Sequence, residues 1–239
     1  MAIWLIGIDD TDNESSPGTG QVARRLMGDC LARGWRHGGV TRHQFLVDPR
    51  IPYTSHNSGA CLAVEGEGGK AGLEFAFDWL AGVAAEGSDP GLCLVRADAV
   101  GAEMIDFGWR TTREVVTMDQ ARQVARGCGV ELRELGGGGL GIIGALASAA
   151  LRADGNEGRF LDLPGLRELG ERVSLDEIER LGVHVVFEEP GPWGGGAWCE
   201  TLSWVRPRLA GGQPVWPVKW SMEHDAWIPV DSRKSRPLE

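Results

Sequence analysis

The stretch IGIDDTDNESSPGTGQVA, residues 6–23, decides the amino-terminal part of the fold. An apolar run over residues 3–8 predicts a buried strand, and this run ends at three carboxylates, Asp9, Asp10 and Asp12. Many α/β proteins hold a hard cation beside a phosphate with carboxylates placed at the carboxyl end of such a strand. Neighbouring acids repel one another unless a cation or solvent compensates them. The stretch therefore predicts a divalent-cation site, and an acidic turn before the next helix is the alternative.

The composition is that of an ordinary globular protein, with 42% hydrophobic and 24% charged residues. No run approaches the roughly 20 apolar residues that span a bilayer. Asp9 and Asp10 interrupt the first apolar run before it reaches the length of a signal peptide. The five cysteines are scattered and form no CxxC pair, which indicates buried thiols in a reducing compartment rather than a zinc ribbon. We expect a cytoplasmic protein with no membrane partner.

The formal net charge of −10 bears on nucleic-acid binding, because proteins that grip phosphates usually carry a basic face. Basic residues form only small patches: Arg24 and Arg25, Arg33 and Arg36, Arg206 and Arg208, and the tail residues Arg233, Lys234 and Arg236. These patches permit contact with RNA without indicating it.

Apolar periodicity predicts strands that alternate with helices. Strands are expected at residues 3–8, 44–47, 61–65, 92–96, 130–135, 160–163 and 183–188, and helices at 21–34, 70–86, 101–108, 118–127, 142–153 and 174–181. Residues 113–117 fit either a strand or the start of a helix. After a Gly/Pro/Trp loop at 189–198, strands are expected at 200–207, 215–221 and 226–230. The pattern predicts a mixed α/β (α+β) body with a small carboxyl-terminal β appendage.

The run GGGGLG, residues 136–141, precedes a predicted helix and formally satisfies the dinucleotide pattern G-x-G-x-x-G. Asp162 would then be the acidic partner, but one βα unit does not supply the repeated βαβ halves of that fold. A P-loop is excluded because no Lys-Ser/Thr pair follows the glycines. Glycine amides before a helix favour anion binding. We therefore predict phosphate contact here, with a flexible turn as the alternative.

Five tryptophans lie in the last 42 residues: Trp198, Trp204, Trp216, Trp220 and Trp227. Aromatic side chains beside arginines can stack on bases. The other interpretation, which we favour, is that they form the core of a small β element.

Three motifs occur in one order: IGIDDTD followed by Thr19, IPYTSHNSGA at residues 51–60, and GGGGLGIIGALA at 136–147. Together they resemble the archaeal 2-agmatinylcytidine synthetase family, TiaS. That family couples agmatine to the wobble cytidine of an isoleucine tRNA with ATP and Mg²⁺. It contains a kinase-like domain, an inserted ferredoxin-like domain, an OB-fold and a zinc ribbon. The family's zinc-ribbon cysteines are absent here, and we expect the last 50 or so residues to be too short for an OB-fold together with a zinc ribbon.

The resemblance implies a division of the chain into domains. Residues 1–65 and 130–190 would form a discontinuous kinase-like nucleotide-binding domain, and residues 66–129 an inserted ferredoxin-like domain. Residues 191–239 remain as a Trp-rich β appendage.

The resemblance also implies site residues. The family's DDTD motif falls on Asp9, Asp10, Thr11 and Asp12, and its phosphate-accepting threonine falls on Thr19. The implied metal ligands are Asp9, Asp10 and Asp12, which with Thr19 are also the implied catalytic residues. The implied nucleotide-binding residues are Gly18, His56, Asn57, Gly136, Gly137, Gly138, Gly139 and Gly141. Two positions depart from the family: His56 replaces an arginine, and Gly138 or Gly139 stands where a charged residue is expected.

These expectations lead to three functional hypotheses. The first is an ATP- and Mg²⁺-dependent phosphotransferase or synthetase that activates an RNA base, as in tRNA, or a small amine acceptor. The second is a non-catalytic nucleotide-binding regulatory or assembly module. The third is a dinucleotide-dependent enzyme. Two residues have simpler interpretations: Thr19 as the N-cap of the first helix and His56 as a solvated loop residue.

Overall fold

A computed structural model describes residues 1–53, 56–189, 191, 198–203 and 205–231. Twelve strands form one sheet: β1 (Ala2–Asp9), β2 (Arg36–Gln44), β3 (Ser58–Gly66), β4 (Gly91–Arg96), β5 (Glu131–Glu134), β6 (Arg159–Asp162), β7 (Arg172–Ser174), β8 (His184–Phe187), β9 (Trp198–Glu200), β10 (Arg208–Ala210), β11 (Gln213–Ser221) and β12 (Ala226–Pro229). Six α-helices accompany them in the described residues: α1 (Thr19–Ala32), α2 (Phe75–Val83), α3 (Ala102–Thr111), α4 (Met118–Gly127), α5 (Gly141–Asp154) and α6 (Leu175–Arg180). The predicted mixed α/β fold is confirmed.

The strand order places β1 deep inside the amino-terminal half of the sheet. The order is β5-β4-β1-β3-β2-β6-β10-β11-β12-β9-β7, and β8 pairs with β11. Strand β1 pairs antiparallel with β3 on one side and with β4 on the other. Its residues from Leu5 to Ile8 are buried, so the chain leaves the core directly into the acidic segment.

Helices cover both faces of this half of the sheet. One face packs on α3, α4 and α5, and α5 is buried along most of its length. The other face packs on α1 and α2, where Ile6 and Ile8 meet Leu26 and Leu80. The small residues of α5 let it lie close to the sheet: a Cβ on Gly7 would stand 2.0 Å from the carbonyl oxygen of Ala145. This close packing holds α5 beside the end of β1.

A third apolar cluster fills the carboxyl-terminal part of the sheet. Trp216 and Trp227 are almost fully buried in it, and Trp220 packs edge-on against Trp227. The core interpretation is therefore confirmed for these residues. Trp198 is 46% exposed, and Trp204 lies outside the described residues, as do most of the loop 189–198 and the basic tail from residue 232.

Three predicted elements are wrong. A strand was expected at residues 44–47, but the strand in this part of the chain is β2, which ends at Gln44. The glycines at 38 and 39 lie at a bulge in its pairing with β3, and this bulge interrupts the alternating pattern that would predict a strand. Residues 113–117 are neither strand nor helix, and Thr117 instead caps α4. The strand expected at 200–207 is interrupted by a turn at Leu202 and Ser203, both with positive φ, between β9 and β10.

The expected domain division stays a prediction. Strand β4, which belongs to the segment 66–129, pairs directly with β1, and β5 pairs with β4. In the described part of the chain, no helix is both long enough and apolar enough to cross a bilayer. Four of the five thiols are buried, as expected from their spacing, and Cys128 is partly buried.

Candidate functional site

The carboxyl end of β1 opens into a cavity of about 100 Å³. We call it the acidic cavity, because Asp9, Asp10, Asp12 and Glu114 stand in its wall. Its other lining residues are Thr19, Phe45, Ile51, Pro52, Tyr53, His56, Asn57, Ser58, Thr111, Val116, Leu140, Gly141, Ile143 and Gly144. Residues from each of the three sequence motifs, among them Asp9, Asn57 and Gly141, therefore meet in one place.

Asp9 is the last residue of β1, and its carboxyl packs against α5. Burial raises the pKa of its carboxyl to about 8; the backbone N–H of Asp10 opposes this shift, and the charges of Asp10 and Asp12 add to it. Its side chain lies against Gly144 of α5, where an added Cβ would stand 1.8 Å from Oδ2. A cation bound nearby would favour the ionised form and lower this pKa. The close packing of α5 therefore creates a carboxyl group that gains from a positive partner.

Asp10 turns the chain out of the strand with a φ of 52°. Burial, together with the charges of Asp89 and Asp12, raises the pKa of its carboxyl, although the backbone N–H of Asp89 donates a hydrogen bond to it. Asp89 lies in the turn before β4, and the sequence motifs did not single it out. It extends the acidic cluster on the side of the glycine loop.

Thr19 is the first residue of α1 and is almost fully buried. Its hydroxyl donates to Asp12 Oδ1 at 2.8 Å and accepts from the hydroxyl of Thr11 at 3.1 Å. The N-cap of α1 is Gly18, and Thr19 is already inside the helix. The simpler interpretation of Thr19 as the N-cap is therefore wrong. Asp12 is placed to orient the Thr19 hydroxyl and to accept its proton.

Asn57 and His56 lie where β3 begins. The Asn57 side chain donates to the Leu46 carbonyl at 2.6 Å, and its own carbonyl accepts from the Phe45 N–H at 2.9 Å. Asn57 therefore fixes the cavity wall. His56 is exposed and lines both the acidic cavity and a neighbouring one.

The neighbouring cavity, of about 180 Å³, shares Asp12, Thr19, His56 and Ser58 with the acidic cavity. We call it the Arg42 cavity. Its remaining lining residues are Gly18, Gly20, Arg42 and Gly59.

Only part of the glycine loop lies at the acidic cavity, and another part contacts Asp89. Gly141 lines the acidic cavity, but Gly136, Gly137, Gly138 and Gly139 line neither cavity. The N–H of Gly138 donates to Asp89 Oδ1 at 2.5 Å, so a carboxylate of the chain itself occupies this amide. The dinucleotide alternative is wrong, because β5 before the loop pairs antiparallel with β4, and β6 after α5 also pairs antiparallel with its neighbours.

Several lining residues lie outside the three sequence motifs, among them Arg42, Glu114, Thr111 and Phe45. Tyr53 lies within the second motif, although it was not predicted as a site residue. Glu114 and Thr111 come from the end of α3 and the turn after it, far along the chain from the DDTD motif. Only the apolar runs that bury α3 and α5 hinted that these segments meet.

The donor set suits a hard cation, since carboxylate and hydroxyl oxygens are the ligands that Mg²⁺ prefers. Among the described residues, no group of three or more His, Cys, Asp or Glu side chains is gathered tightly enough to hold a metal ion alone. Mg²⁺ commonly binds through one or two carboxylates together with substrate phosphates and water. The arrangement fits this second kind of site.

Comparisons with known proteins give no match to a protein-family model and none to a curated protein sequence. Solved structures do match. The complex of TiaS with its isoleucine tRNA and ATP is 24% identical over 63% of this chain and 36% of that chain, with a TM-score of 0.54. A tRNA fluorescent labeling enzyme is 26% identical over 63% of this chain and 36% of that chain, with a TM-score of 0.53. The complex of TiaS with the same tRNA, AMPCPP and agmatine is 23% identical over 62% of this chain and 36% of that chain, with a TM-score of 0.52.

The resemblance to TiaS that the motifs predicted is therefore confirmed, and it extends to the fold. This chain corresponds to only 36% of the length of the first of these structures.

Proposed function

We propose that this chain is an ATP- and Mg²⁺-dependent synthetase or phosphotransferase of the TiaS kind, which activates an acceptor by phosphoryl transfer. The observation that carries the proposal is the meeting of Asp9, Asp10, Asp12 and Thr19 in one cavity at the end of β1. The structural likeness to a TiaS complex with ATP supports ATP as the cosubstrate.

Mg²⁺ held by one or two of the carboxylates Asp9, Asp10 and Asp12, together with the phosphates, would neutralise charge on phosphoryl oxygens, which is the main contribution that a protein can make to such a transfer. The chain's own groups do the rest. Asp12 holds the Thr19 hydroxyl at 2.8 Å and can take its proton, so Thr19 is placed to accept or to flank the transferred group. Phe45, Val116 and Ile143 keep one wall of the cavity apolar and limit the access of water.

For the acceptor, we propose a base of tRNA or a small amine. TiaS is seen in a complex with an isoleucine tRNA and agmatine, which supports both classes. An amine is cationic at neutral pH, and Glu114 adds a fourth carboxylate to a cavity with apolar walls, which suits a charged head on an alkyl chain. We also propose that the protein acts in the cytoplasm, as expected from its scattered, buried thiols.

The test is turnover of ATP labelled at each phosphate, with the purified chain and Mg²⁺. Asp9→Asn keeps the shape of the side chain but removes the charge that a metal needs, so we expect turnover to fall by about 100-fold or more. Asp106→Asn is the matched control, because Asp106 is exposed on α3 and lines neither cavity.

Turnover in Asp9→Asn equal to that of the unmodified chain would contradict the assignment. Tight ATP binding by the unmodified chain without any turnover would instead favour the non-catalytic nucleotide-binding module.

A further inference from the structure

The walls of the two cavities differ in charge. The acidic cavity brings together four carboxylates, and its described lining residues include no lysine or arginine. Arg42 and His56 are the basic side chains among the described residues that line either cavity. A triphosphate carries several negative charges, and bound Mg²⁺ offsets only part of them. The remaining charge needs a basic partner within reach of the same site.

The glycine loop does not supply that partner. The run GGGGLG contains no basic residue, and its Gly138 amide is already bonded to Asp89. A phosphate at this loop would stand beside the Asp89 carboxylate, which repels it. The charge of the walls therefore favours the other side of the acidic cavity.

Arg42 is held firmly at that side. It lies near the end of β2, where its Cα is opposite Ala60 of β3 and Arg159 of β6. Its Nε donates to the Ser58 hydroxyl at 2.9 Å, and one terminal nitrogen donates to Gln44 Oε1 at 3.3 Å. A guanidinium is a planar fork of donors, so these two contacts fix the plane in which it can meet an oxyanion.

The position of the Arg42 cavity connects it to the reacting residues. The cavity shares Asp12 and Thr19 with the acidic cavity, and its volume of about 180 Å³ leaves room for phosphate groups. A chain of phosphates that reaches Thr19 can therefore continue past Asp12 toward Arg42. This path leads away from Asp9, Asp10 and Glu114, which line only the acidic cavity.

We propose that Arg42 binds the polyphosphate of the nucleoside triphosphate and that the phosphates extend from Thr19 into the Arg42 cavity. This inference rests on the proposed function for the identity of the nucleotide. It assigns Arg42 a binding role that the three sequence motifs do not contain.

The test is calorimetric binding of ATP, ADP, AMP and inorganic tripolyphosphate, each with Mg²⁺, to the full chain and to Arg42→Gln. Glutamine can still donate to Ser58, so the strand pairing is preserved while the charge is removed. Loss of a charge-assisted contact should weaken ATP and tripolyphosphate binding by about 10- to 100-fold and AMP binding by much less. Arg42→Lys keeps the charge without the planar guanidinium, so its affinity for ATP and tripolyphosphate should lie between those of the unmodified chain and Arg42→Gln.

Arg36→Gln is the matched control, because Arg36 lies on the same strand, is exposed and lines neither cavity. It should bind all four ligands as the unmodified chain does. Unfolding midpoints of all variants show whether a loss of binding reflects a loss of structure.

The outcomes separate the two proposals. Undiminished binding of ATP and tripolyphosphate by Arg42→Gln would overturn the role of Arg42, even if the chain turns over ATP. Tripolyphosphate binding that depends on Arg42, in a chain without ATP turnover, would support the site and contradict the enzyme assignment. No binding of either ligand by the unmodified chain would overturn both.

Discussion

The hydroxyl of Thr19 connects the start of α1 to Thr11 and Asp12, which lie in the acidic segment after β1. It donates to Asp12 and accepts from Thr11, whose side chain is also buried. A buried hydroxyl with both roles filled has one fixed orientation, which is what a nucleophile or a phosphate ligand requires. Loss of the Thr19 hydroxyl should therefore reduce the stability of the fold as well as the turnover of ATP.

Thr19→Val should test both effects, because valine has the same shape without the hydroxyl. Loss of the hydrogen bonds that Thr19 makes with Thr11 and Asp12 should lower the free energy of unfolding by about 1–3 kcal/mol. Turnover of ATP should fall by about 100-fold or more, whereas Thr19→Ser should retain most of both properties. Chemical denaturation measures the free energy of unfolding, and labelled-ATP assays measure turnover. Unchanged turnover in Thr19→Val would show that the Thr19 hydroxyl takes no part in the reaction.

At the scale of elements, the site depends on how closely α5 packs against β1. Gly7 in the strand faces the backbone of Ala145, and Gly144 in the helix makes room for the Asp9 carboxyl. Side chains at either position would push α5 away from the sheet and would change the environment that raises the pKa of Asp9. The small residues of α5 thus serve the site as well as the core.

Gly7→Ala should therefore be strongly destabilising. Its Cβ would meet the Ala145 carbonyl at 2.0 Å, and neither backbone can move freely in a packed core, so we expect a loss of about 3 kcal/mol or more. Gly28→Ala is the control, because Gly28 lies inside α1 with open space around it and should gain up to about 1 kcal/mol. Urea unfolding measures both, and a neutral Gly7→Ala would show that α5 can shift without cost.

At the scale of the whole molecule, the two halves of the sheet meet where β6 pairs with β10. Arg159 and Arg208 stand directly opposite each other there, and like charges across a strand pair repel. Asp231 accepts from both, at 2.7 Å from Arg159 and 2.8 Å from Arg208. Burial alone would raise the pKa of the Asp231 carboxyl, but the two arginines outweigh it and lower that pKa below its ordinary 3.8.

Asp231→Asn should weaken this junction by about 0.5–2 kcal/mol at neutral pH, because Arg159 and Arg208 would lose the carboxylate that they share, although Glu188 still lies 3.8 Å from Arg208. A carboxyl with a lowered folded pKa contributes stability above its unfolded pKa and loses it as the pH falls through the folded value. The difference in unfolding free energy between the two proteins should thus be constant above about pH 5 and should shrink below pH 3.8. A difference that grows on acidification would contradict this account of the junction.

The elements that local pattern predicts well are those whose burial is continuous along the chain. Strand β1 and helices α1, α4 and α5 were expected close to their observed bounds, because their apolar periodicity is strong. Strand β2 was misplaced because its bulge at His37 and Val40 breaks the alternation, and only the pairing with β3 and β6 makes it a strand. The same pairing carries Arg42 to Ser58.

By itself the sequence determined that acids follow a buried strand, that a helix follows the loop holding Thr19 and that the motifs resemble TiaS, since each of these depends on neighbouring residues. Tertiary structure alone decided that Arg42 and Glu114 line the site. It also decided that the Gly138 N–H, predicted to contact a phosphate, donates to Asp89. These contacts link segments separated by tens of residues. Their free energy depends on packing and charge in three dimensions, which no local pattern along the chain records.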